Sequence, residues 1–413
     1  MLKKIILFLF ILPNAWAQVC VPETTLSWIL EETELSHPKF ILQRLSIEKL
    51  KASKSEAGKM INPELEHFSV WGKEFGGVSA YQNETRLWFT LQLASKRQKS
   101  LETWSRQTDM ALQEEVMLRQ ALLKDLWVNF FRMHQISEAQ NAKKVLIDRL
   151  NKILAKYKQR KFLTPDQSLE ERIFTMVVDN FSLSLAQLER ERIDTLEFFR
   201  EVTAFKCPIS KIDLEESKMK WPNINELKKL NTFDSLNVQF AQLDLEFSKA
   251  KFTLAEAKKT PNLRLSPVVQ NYINDDVSNT MAGISFVMPL PFFDRNQSER
   301  TQNFLDQKYA ERRLNLTKTR EDFYFEAKIK KYSLGSSVLR EIDVIEESLN
   351  RFKSLGDAFS EGKLSISNIV EFCRQLDEIL ERYHKGESVL MMDLMDILEQ
   401  RGRLDRKTLE NFL

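Results

Sequence analysis

The sequence predicts a mainly α-helical chain that also supplies two β-hairpins to a membrane β-barrel shared by several copies. Two observations predict these elements: long stretches with apolar residues at helical spacing, and two regions in which apolar and polar residues alternate. A third, an internal repeat at a shift of 198 positions, predicts that the series of elements occurs twice. Glycine and proline are scarce, with 10 and 11 in 413 residues, which favours long helices.

Residues 1–17 are interpreted as an export signal that is removed ahead of Gln18. Two lysines precede an apolar run that ends at Leu12, and Ala15-Trp16-Ala17 fits a small-residue cleavage site. The run is shorter than the roughly 20 residues that a membrane helix needs. No later window is long and uncharged enough either, so any membrane span is expected to consist of β-strands.

The charge balance and the distribution of histidines argue against several classes of site. Lys and Arg total 61 against 59 Asp and Glu, which gives no reason to expect a nucleic-acid partner. The four histidines are scattered, and phosphate-loop, nucleophile-elbow and zinc-protease motifs are missing from the sequence. We therefore expect no catalytic residue, no cofactor and no metal site, and an enzyme is the weakest interpretation.

Three cysteines leave at least one thiol without an intramolecular partner. Cys20 and Cys207 each precede a repeat copy, and a disulfide between them is one possibility in an oxidising compartment. Lipidation of Cys20 is another, although Val19 stands where lipidation motifs have glycine or alanine. Cys373 is expected to be a small buried apolar side chain within a helix.

The repeat divides the chain into residues 18–206, a linker at 207–230 and residues 231–413. Identities at the shift of 198 include Lys51 with Lys249 and Pro63 with Pro261. Chance similarity between two helices rich in Ala, Lys and Glu is the alternative explanation. The order of element types also repeats, which favours a true duplication.

Each copy is predicted to begin with a helix that ends before a proline, followed by a β-hairpin. The helices span about Pro38 to Met60 and about Ser235 to Lys259. The hairpins occupy 65–93, with a loop from Gly72 to Glu84, and 263–288, with a turn at 273–276. Alternation is clear from Thr85 to Leu93, whereas Pro267 is an awkward residue within a strand.

Long helical hairpins are predicted to follow at 95–205 and 298–400. From 95 to 156 there is no glycine or proline, and about 60 residues at about 1.5 Å each give a rod near 90 Å. Apolar residues recur at coiled-coil spacing, and they include Leu112, Val116, Leu123, Leu126, Phe130, Leu146 and Leu150. The two hairpins are predicted to turn at 161–165 and at 361–365.

Strands of about ten residues suit a membrane barrel, but four strands cannot close one. Open edges in lipid would leave backbone groups unpaired, so several copies must contribute to one barrel, most simply by rotational symmetry. Three copies of four strands would give twelve. The alternative is an ordinary soluble sheet that packs on the helices.

The run from Met288 to Gln297, Met-Pro-Leu-Pro-Phe-Phe-Asp-Arg-Asn-Gln, resembles the segment after the fourth strand in TolC-like outer-membrane efflux proteins, most closely their heavy-metal branch. Asn62-Pro63-Glu64-Leu65 is similar to the start of the first hairpin in that family. Residues 26–28, 37–38 and 361–365 fit its pattern as well. The sequence differs from the pattern of that family at three places. Ala94-Ser95 stands where the family has a glycine pair, Ser298 stands where it has glycine, and the first helical turn, at 161–165, contains no glycine.

This resemblance implies a homotrimer with a twelve-stranded barrel in the outer membrane and a periplasmic helical tunnel. A periplasmic membrane-fusion adaptor would dock on the helical turns and connect the channel to an inner-membrane pump of the RND or ABC type. The implied docking residues are Phe162, Leu163, Thr164, Gly362, Lys363, Leu364 and Ser365. The implied strand-to-helix motif is structural and comprises Asn62, Pro63, Pro289, Pro291, Asp294, Arg295 and Asn296.

The function implied is that of a passive conduit from the periplasm to the exterior, with Glu361 and Lys363 as candidate gate residues. A conduit for type I protein secretion would have the same architecture and a similarly polar lumen. A periplasmic coiled-coil scaffold without a channel is the alternative from another class. Prolines at 289 and 291 withhold backbone donors from a ladder, and Asp294 with Asn296 could cap the following helix.

Overall fold

The computed structural model describes residues 23–24, 26–73, 79–159, 161–204, 211–212, 221–230, 235–274, 278–292, 295–340 and 366–405. The helices are α1 (Leu26–Ser36), α2 (Pro38–Ala57), α3 (Lys96–Lys158), α4 (Pro165–Val202), α5 (Ile224–Lys229), α6 (Leu236–Lys258), α7 (Gln297–Arg340) and α8 (Ile366–Gln400). The strands are β1 (Glu23–Thr24), β2 (Glu64–Lys73), β3 (Ser79–Leu91), β4 (Lys211–Ile212), β5 (Leu263–Asn274) and β6 (Ser278–Val287). The predicted fold class, long helices with two β-hairpins, is confirmed.

The chain forms two compact units. The helical unit comprises residues 1–41, 119–231 and 326–413, and the sheet unit comprises residues 42–118 and 232–325. Each unit draws segments from both copies of the repeat. The repeat therefore duplicates the order of helices and strands along the chain. Each compact unit combines corresponding parts of the two copies.

In the sheet unit, four antiparallel strands lie in the order β2-β3-β5-β6. Leu65 pairs with Leu87, and Arg86 pairs with Val268. The two hairpins thus join through β3 and β5, which leaves β2 and β6 as the outer strands. Pro267 lies within β5 and pairs with Ile284 of β6, whereas the pairing of β5 with β3 is interrupted at Pro267 and Ser266, as expected of a residue without a backbone donor.

The predicted loop from Gly72 to Glu84 is too long. Strand β2 continues to Lys73, and β3 begins at Ser79, so only residues 74–78 lie between them. Apart from Tyr81, residues 79–84 are small or polar, so the run shows no regular alternation, yet each residue pairs with one of β2. Pairing with β2 and β5 decides the strand here, because β propensity depends strongly on neighbouring strands.

The core of the helical unit lies between α3, α4 and α8. It contains Leu146 and Leu150 from α3, Phe174 and Phe181 from α4, and Cys373, Leu376 and Leu380 from α8. The predicted seam is confirmed for Leu123, Leu126 and Phe130, which are buried. It is wrong for Leu112 and Val116, which are exposed because α3 turns Thr108 and Ala111 inward in the sheet unit.

The predicted linker at 207–230 is partly structured. β4 pairs in parallel with β1, and Asn223 caps α5 through reciprocal hydrogen bonds with Glu226. The Tyr332 hydroxyl donates to the Pro222 carbonyl at 3.0 Å, and Leu227 is buried. These contacts attach the segment to α7 within the helical unit.

Corresponding helix ends adopt the same backbone conformation in both copies. Ala204, two residues beyond α4, has φ 55°, and Gly402, two residues beyond α8, has φ 64°. These positions differ by the repeat shift of 198. Ser95 before α3 and Asn296 before α7 have φ 55° and 58°. Turns that need a left-handed residue are therefore duplicated with the helices.

Candidate channel wall and docking surfaces

One face of the four-stranded sheet carries a cluster of charged side chains around Trp88. Arg264 donates from Nη2 to Glu64 Oε2 at 2.6 Å, and its guanidinium lies 4.8 Å from the centre of the Trp88 ring. Trp88 Nε1 donates to Glu66 Oε2 at 2.6 Å, and Trp88 is only 6% exposed. Since Glu64, Trp88 and Arg264 belong to β2, β3 and β5, the cluster joins the two hairpins and makes this face compatible with water.

The opposite face of the same sheet is largely apolar and exposed. Alternate residues of a strand point to opposite faces, and this face includes Leu65, Trp71, Tyr81, Leu87, Phe89, Leu265, Ile284 and Phe286. Ile284 is 82% exposed and Trp71 80%. A few polar residues within it bond to one another, as where the Ser69 hydroxyl donates to Asn83 Oδ1 at 2.6 Å. An exposed apolar face opposite a charged one is the pattern of a barrel wall between lipid and water.

Prolines mark the places where the chain leaves the sheet. Asn62 and Pro63 lie between α2 and β2, and Pro289 and Pro291 follow β6. Arg295 Nε donates to the Pro291 carbonyl at 3.2 Å. The ladder ends at Val287, two residues before a proline that could not donate to it.

Asn296, a predicted cap residue, lies immediately before α7. Its carbonyl accepts from the Arg300 amide at 3.1 Å, and its φ of 58° is one that asparagine tolerates. Its side-chain amide donates to the Ala255 carbonyl at 3.4 Å, which ties the start of α7 to α6. Asp294, the other predicted cap residue, lies outside the described residues.

The bend between β3 and α3 keeps a left-handed backbone without glycine. Ala94 and Ser95 have φ 57° and 55°, a conformation that costs a residue other than glycine about 1 to 2 kcal/mol. Lys96 Nζ donates to Asn262 Oδ1 at 2.6 Å and so connects the bend with the residue before β5. The bend therefore places two residues other than glycine in the conformation that glycine adopts most readily.

The turn between α3 and α4 has a capped helix and an exposed aromatic ring. Thr164 and Gln167 cap α4 reciprocally, with the Gln167 amide donating to Thr164 Oγ1 at 3.3 Å. Phe162 is 91% exposed, whereas Leu163 packs against the core of the helical unit. The first predicted docking turn thus presents one large apolar side chain. Residues 361–365, including Gly362, Lys363, Leu364 and Ser365, lie outside the described residues.

A buried polar group connects α3 and α8 in the helical unit. Gln135 donates from Nε2 to the His384 carbonyl at 2.9 Å and to Glu387 Oε2 at 3.1 Å, while the Ser388 hydroxyl donates to its Oε1 at 2.8 Å. Burial raises the pKa of Glu387, and hydrogen bonds from Gln135 and Tyr383 offset only part of that effect. No sequence pattern indicates this group, because about 250 residues separate Gln135 from its partners and each member resembles a solvated polar position.

Three helices meet at Asp396. Lys124 of α3 lies 2.6 Å from its carboxylate and Lys328 of α7 lies 2.5 Å from it. Burial alone would lower the pKa of each lysine and raise that of Asp396. The hydrogen bonds outweigh burial, so the lysine pKa values are raised and that of Asp396 is lowered. The cluster therefore holds α3, α7 and α8 together in its ionised form.

The Cys373 thiol is buried, and burial raises its pKa to about 12, as expected for a structural apolar residue. Cys20 and Cys207 lie outside the described residues. In the described part of the chain, no three His, Cys, Asp or Glu side chains are grouped as metal ligands. Within the same ranges, no helix carries an apolar stretch long enough to cross a bilayer.

Several solved structures share this arrangement of helices and strands. The MtrE outer membrane channel of Neisseria gonorrhoeae superposes with a TM-score of 0.71 at 12% identity, over 92% of this chain and 90% of that one. The outer membrane protein VceC of Vibrio cholerae gives 0.71 at 11% identity, over 91% and 96%. This chain has the fold of outer membrane channels. A membrane protein of Pseudomonas aeruginosa gives 0.72 at 12% identity, over 91% and 90%.

Neither a family model nor a curated protein sequence matches the chain. At 10 to 14% identity, the fold is thus shared with little of the sequence. The likeness covers nine-tenths of the chain and so extends over most of both copies of the repeat. The resemblance to the heavy-metal branch stays a prediction.

Proposed function

We propose that the protein is a subunit of an outer-membrane efflux channel, a passive conduit from the periplasm to the exterior. The fold supports a channel, and the contrast between the two faces of the sheet supports a wall between lipid and water. The proposed pore needs no catalytic step, because an inner-membrane pump would supply the energy.

The observation that carries this proposal is the pair of outer strands, β2 and β6, in a sheet with an exposed apolar face. In lipid, unpaired backbone groups on such edges cost several kcal/mol each. Pairing β6 of one copy with β2 of the next satisfies them and preserves the antiparallel order. Three copies would then close a barrel of twelve strands around a lumen lined by the charged face.

The proposed partners follow from this assembly. The helical units would form a periplasmic tunnel, and a membrane-fusion adaptor would dock at its turns and recruit an RND-type or ABC-type pump. Phe162 supports a docking role, since a large apolar ring that is 91% exposed at a turn suits burial by a partner. The second turn, at 361–365, is proposed as the other half of the docking surface and of the gate.

The test compares charge substitutions on the two faces of β6. Ile284 lies on the apolar face and Met281 on the charged face, and both are exposed. Ile284→Lys should prevent outer-membrane assembly, because lysine facing lipid near the bilayer centre costs about 2 to 4 kcal/mol, while Met281→Lys should assemble normally. The measurements are outer-membrane fractionation, trimer mass in detergent and conductance in planar bilayers.

Equal assembly of both variants would mean that the apolar face does not contact lipid. A wild-type protein that stays in the periplasm without conductance would instead favour the coiled-coil scaffold. Cross-linking from Phe162 in cells, followed by identification of the bound proteins, would test the adaptor. Recovery of a secretion apparatus in place of an efflux pump would redirect the proposal to type I secretion.

A further inference from the structure

Two hollows lie beside each other where the sheet meets the helices of the sheet unit. Their volumes are about 1030 Å³ and about 760 Å³, and Lys258 and Asn262 line both. The hollows therefore form one surface, which we call the basic junction. Among its described lining residues, six cations face a single carboxylate, that of Glu56, and these cations are Lys59, Lys96, Lys258, Lys259, Arg264 and Arg295.

The basic junction continues the charged face of the sheet. Thr90, Arg264 and Val287 are the strand residues that line the second hollow. Thr90 pairs with Arg264, and Arg264 pairs with Val287, so the three lie side by side across β3, β5 and β6. They share the face of Trp88, because alternate residues of a strand point to the same side. In the proposed barrel this face lines the lumen, so the basic junction borders the lumen where the barrel meets the helices.

Three cations of the basic junction lack a carboxylate partner in the described part of the chain. Lys96 Nζ donates to the neutral Asn262 amide oxygen at 2.6 Å, and Arg295 Nε donates to the Pro291 carbonyl at 3.2 Å. Lys259 lines the second hollow and forms no ion pair with the described residues. The other three cations are paired, Lys258 with Glu299, Lys59 with Glu56 and Arg264 with Glu64.

The unpaired charges give the basic junction a preference for anions. Burial lowers the pKa of Lys96, and no neighbouring carboxylate offsets the effect, so an anion that approaches this ammonium would stabilise it. Three copies would repeat the charges of Lys96, Lys259 and Arg295 around one lumen. A wall that carries one sign of charge beside protein of low dielectric constant raises the local concentration of ions of the opposite sign.

Apolar side chains lie among these cations. Leu290 and Phe292 line the second hollow and are 62% and 72% exposed. Met60 and Ile61 line the first hollow and are also exposed. Exposed apolar groups on a wall that faces water are typical of a binding surface. Cations beside such groups fit a solute that combines an anionic group with an apolar part.

We propose that the basic junction is a lumenal binding surface that makes the channel selective for organic anions with an apolar part. Lys96, Lys259 and Arg295 would contact the anionic group, and Leu290 and Phe292 the apolar part. This inference rests on the proposed function, because it assumes that the charged face lines the lumen. It adds the class of solute that the conduit favours.

The experiment uses the full chain in planar bilayers of phosphatidylcholine. Reversal potentials in gradients of potassium chloride give the permeability ratio of chloride to potassium. The test variant combines Lys96→Gln, Lys259→Gln and Arg295→Gln. The matched control, Lys318→Gln with Lys330→Gln and Lys331→Gln, removes the same charge from exposed positions further along α7.

We expect wild type and control to pass chloride over potassium by about twofold or more, because the positive wall concentrates anions. The test variant should lose this preference. A charge-preserving variant, Lys96→Arg with Lys259→Arg and Arg295→Lys, should keep it, which separates loss of charge from damage to the fold. In wild type the preference should weaken from about 0.1 M to about 1 M salt, since the Debye length falls from about 10 Å to about 3 Å.

The apolar part of the site is tested with two sulfonates. Methanesulfonate and benzenesulfonate carry the same charged group, but only benzenesulfonate has an aromatic ring. Leu290→Ser with Phe292→Ser should lower the permeability of benzenesulfonate relative to methanesulfonate and should leave the preference for chloride unchanged. An unchanged ratio of the two sulfonates in this variant would overturn the apolar contact.

A conducting wild-type channel without a preference for chloride would overturn this inference alone. The same holds if the test variant keeps the preference, or if the test variant and the control lose it equally. Failure of the wild-type protein to insert into any bilayer and conduct would overturn the proposed function and this inference with it. Circular dichroism of each variant establishes that the helices are intact before the currents are compared.

Discussion

Gln120 and Leu404 are joined by two hydrogen bonds across 284 positions of the chain. The Gln120 amide nitrogen donates to the Leu404 carbonyl at 3.1 Å, and the Leu404 amide donates to Gln120 Oε1 at 2.9 Å. Both residues are buried. One side chain of α3 thus satisfies both backbone groups of Leu404 and fixes the chain that follows α8.

Gln120→Leu should therefore release this segment. The substitution leaves a buried donor and a buried acceptor unpaired, at a cost of about 1 to 3 kcal/mol for each group. We expect faster amide hydrogen exchange at 401–405 and a lower unfolding temperature. Gln113→Leu, at a more exposed position of the same helix, is the control, and equal exchange in both variants would contradict the role of Gln120.

The duplicated turns at the ends of α4 and α8 predict opposite effects of glycine and alanine. Ala204 and Gly402 share a left-handed φ, which costs residues other than glycine about 1 to 2 kcal/mol. Ala204→Gly should raise the free energy of unfolding by about 1 kcal/mol, and Gly402→Ala should lower it by a similar amount.

Gly386 provides the matched control within α8. A Cβ there would lie 3.6 Å from Leu339 Cδ2, an ordinary contact, and alanine is favoured over glycine inside a helix by roughly 0.5 to 1 kcal/mol. Gly386→Ala should therefore stabilise. Chemical denaturation measures all three variants, and a loss of stability in Ala204→Gly would show that the turn does not impose the conformation.

Glu387 predicts a pH dependence of stability. Its pKa is raised by burial, and the charged or titratable groups around it are His384 and Tyr383 of α8 and Glu138 of α3. A group with a raised pKa in the folded state adds stability below its unfolded value of 4.5 and loses it as the pH rises through the folded value. Glu387→Gln should therefore be more stable than wild type at pH 7 and should remove this dependence.

Thermal unfolding between pH 4 and pH 8 measures the effect of Glu387. Glu381→Gln, on an exposed part of the same helix, should leave the wild-type profile unchanged. If Glu387→Gln and wild type gave parallel profiles over this range, Glu387 would not be the group responsible.

Asp396 should give the folding stability the opposite pH dependence to Glu387, with stability lost in acid. Its pKa is lowered because Lys124 and Lys328 outweigh burial. The stability it contributes is present above its unfolded pKa of 3.8 and is lost as the pH falls through the folded value. Asp396→Asn should destabilise the helical unit at pH 7 by about 1 to 3 kcal/mol and should weaken its response to acid.

Denaturant unfolding at pH 7 and at pH 3 tests Asp396, with Asp179→Asn on the exposed side of α4 as the control. The two lysines retain Glu399 and Asp393 as partners, so the variant should still fold. An equal loss of stability in both variants would show that the effect comes from the change in net charge.

The sequence predicts the periodic parts of this fold well. Leu123, Leu126 and Phe130 lie in the core because helical spacing places them on one side of α3. The alternation at Leu87 and Phe89 marks β3, but the polar run from Ser79 to Glu84 becomes strand only through its partners. Helix α5 could have been found from Asn223 and Glu226, which form a capping box.

The features that the sequence could not predict depend on contacts between residues that are far apart in the chain. Gln135, Glu387 and Ser388 meet because α3 and α8 pack together, and their spacing contains no trace of that contact. The hollow lined by Lys59, Lys96 and Lys258 likewise arises where the ends of α2, β3 and α6 converge. By contrast, Pro289 and Pro291 were recognised locally, since proline constrains its own backbone.

Pairing of β2 with β6 between copies is the central claim, and disulfide cross-linking of these strands tests it most directly. In a chain whose Cys20, Cys207 and Cys373 are replaced by alanine, Phe68→Cys in β2 is combined in turn with Met281→Cys, Gly283→Cys and Ser285→Cys in β6. For at least one pair, oxidation in isolated outer membranes should give covalent dimers and trimers on denaturing gels, with no product from either single variant. If every pair stayed monomeric while the protein remained in the membrane, closure of one barrel by three copies would be contradicted.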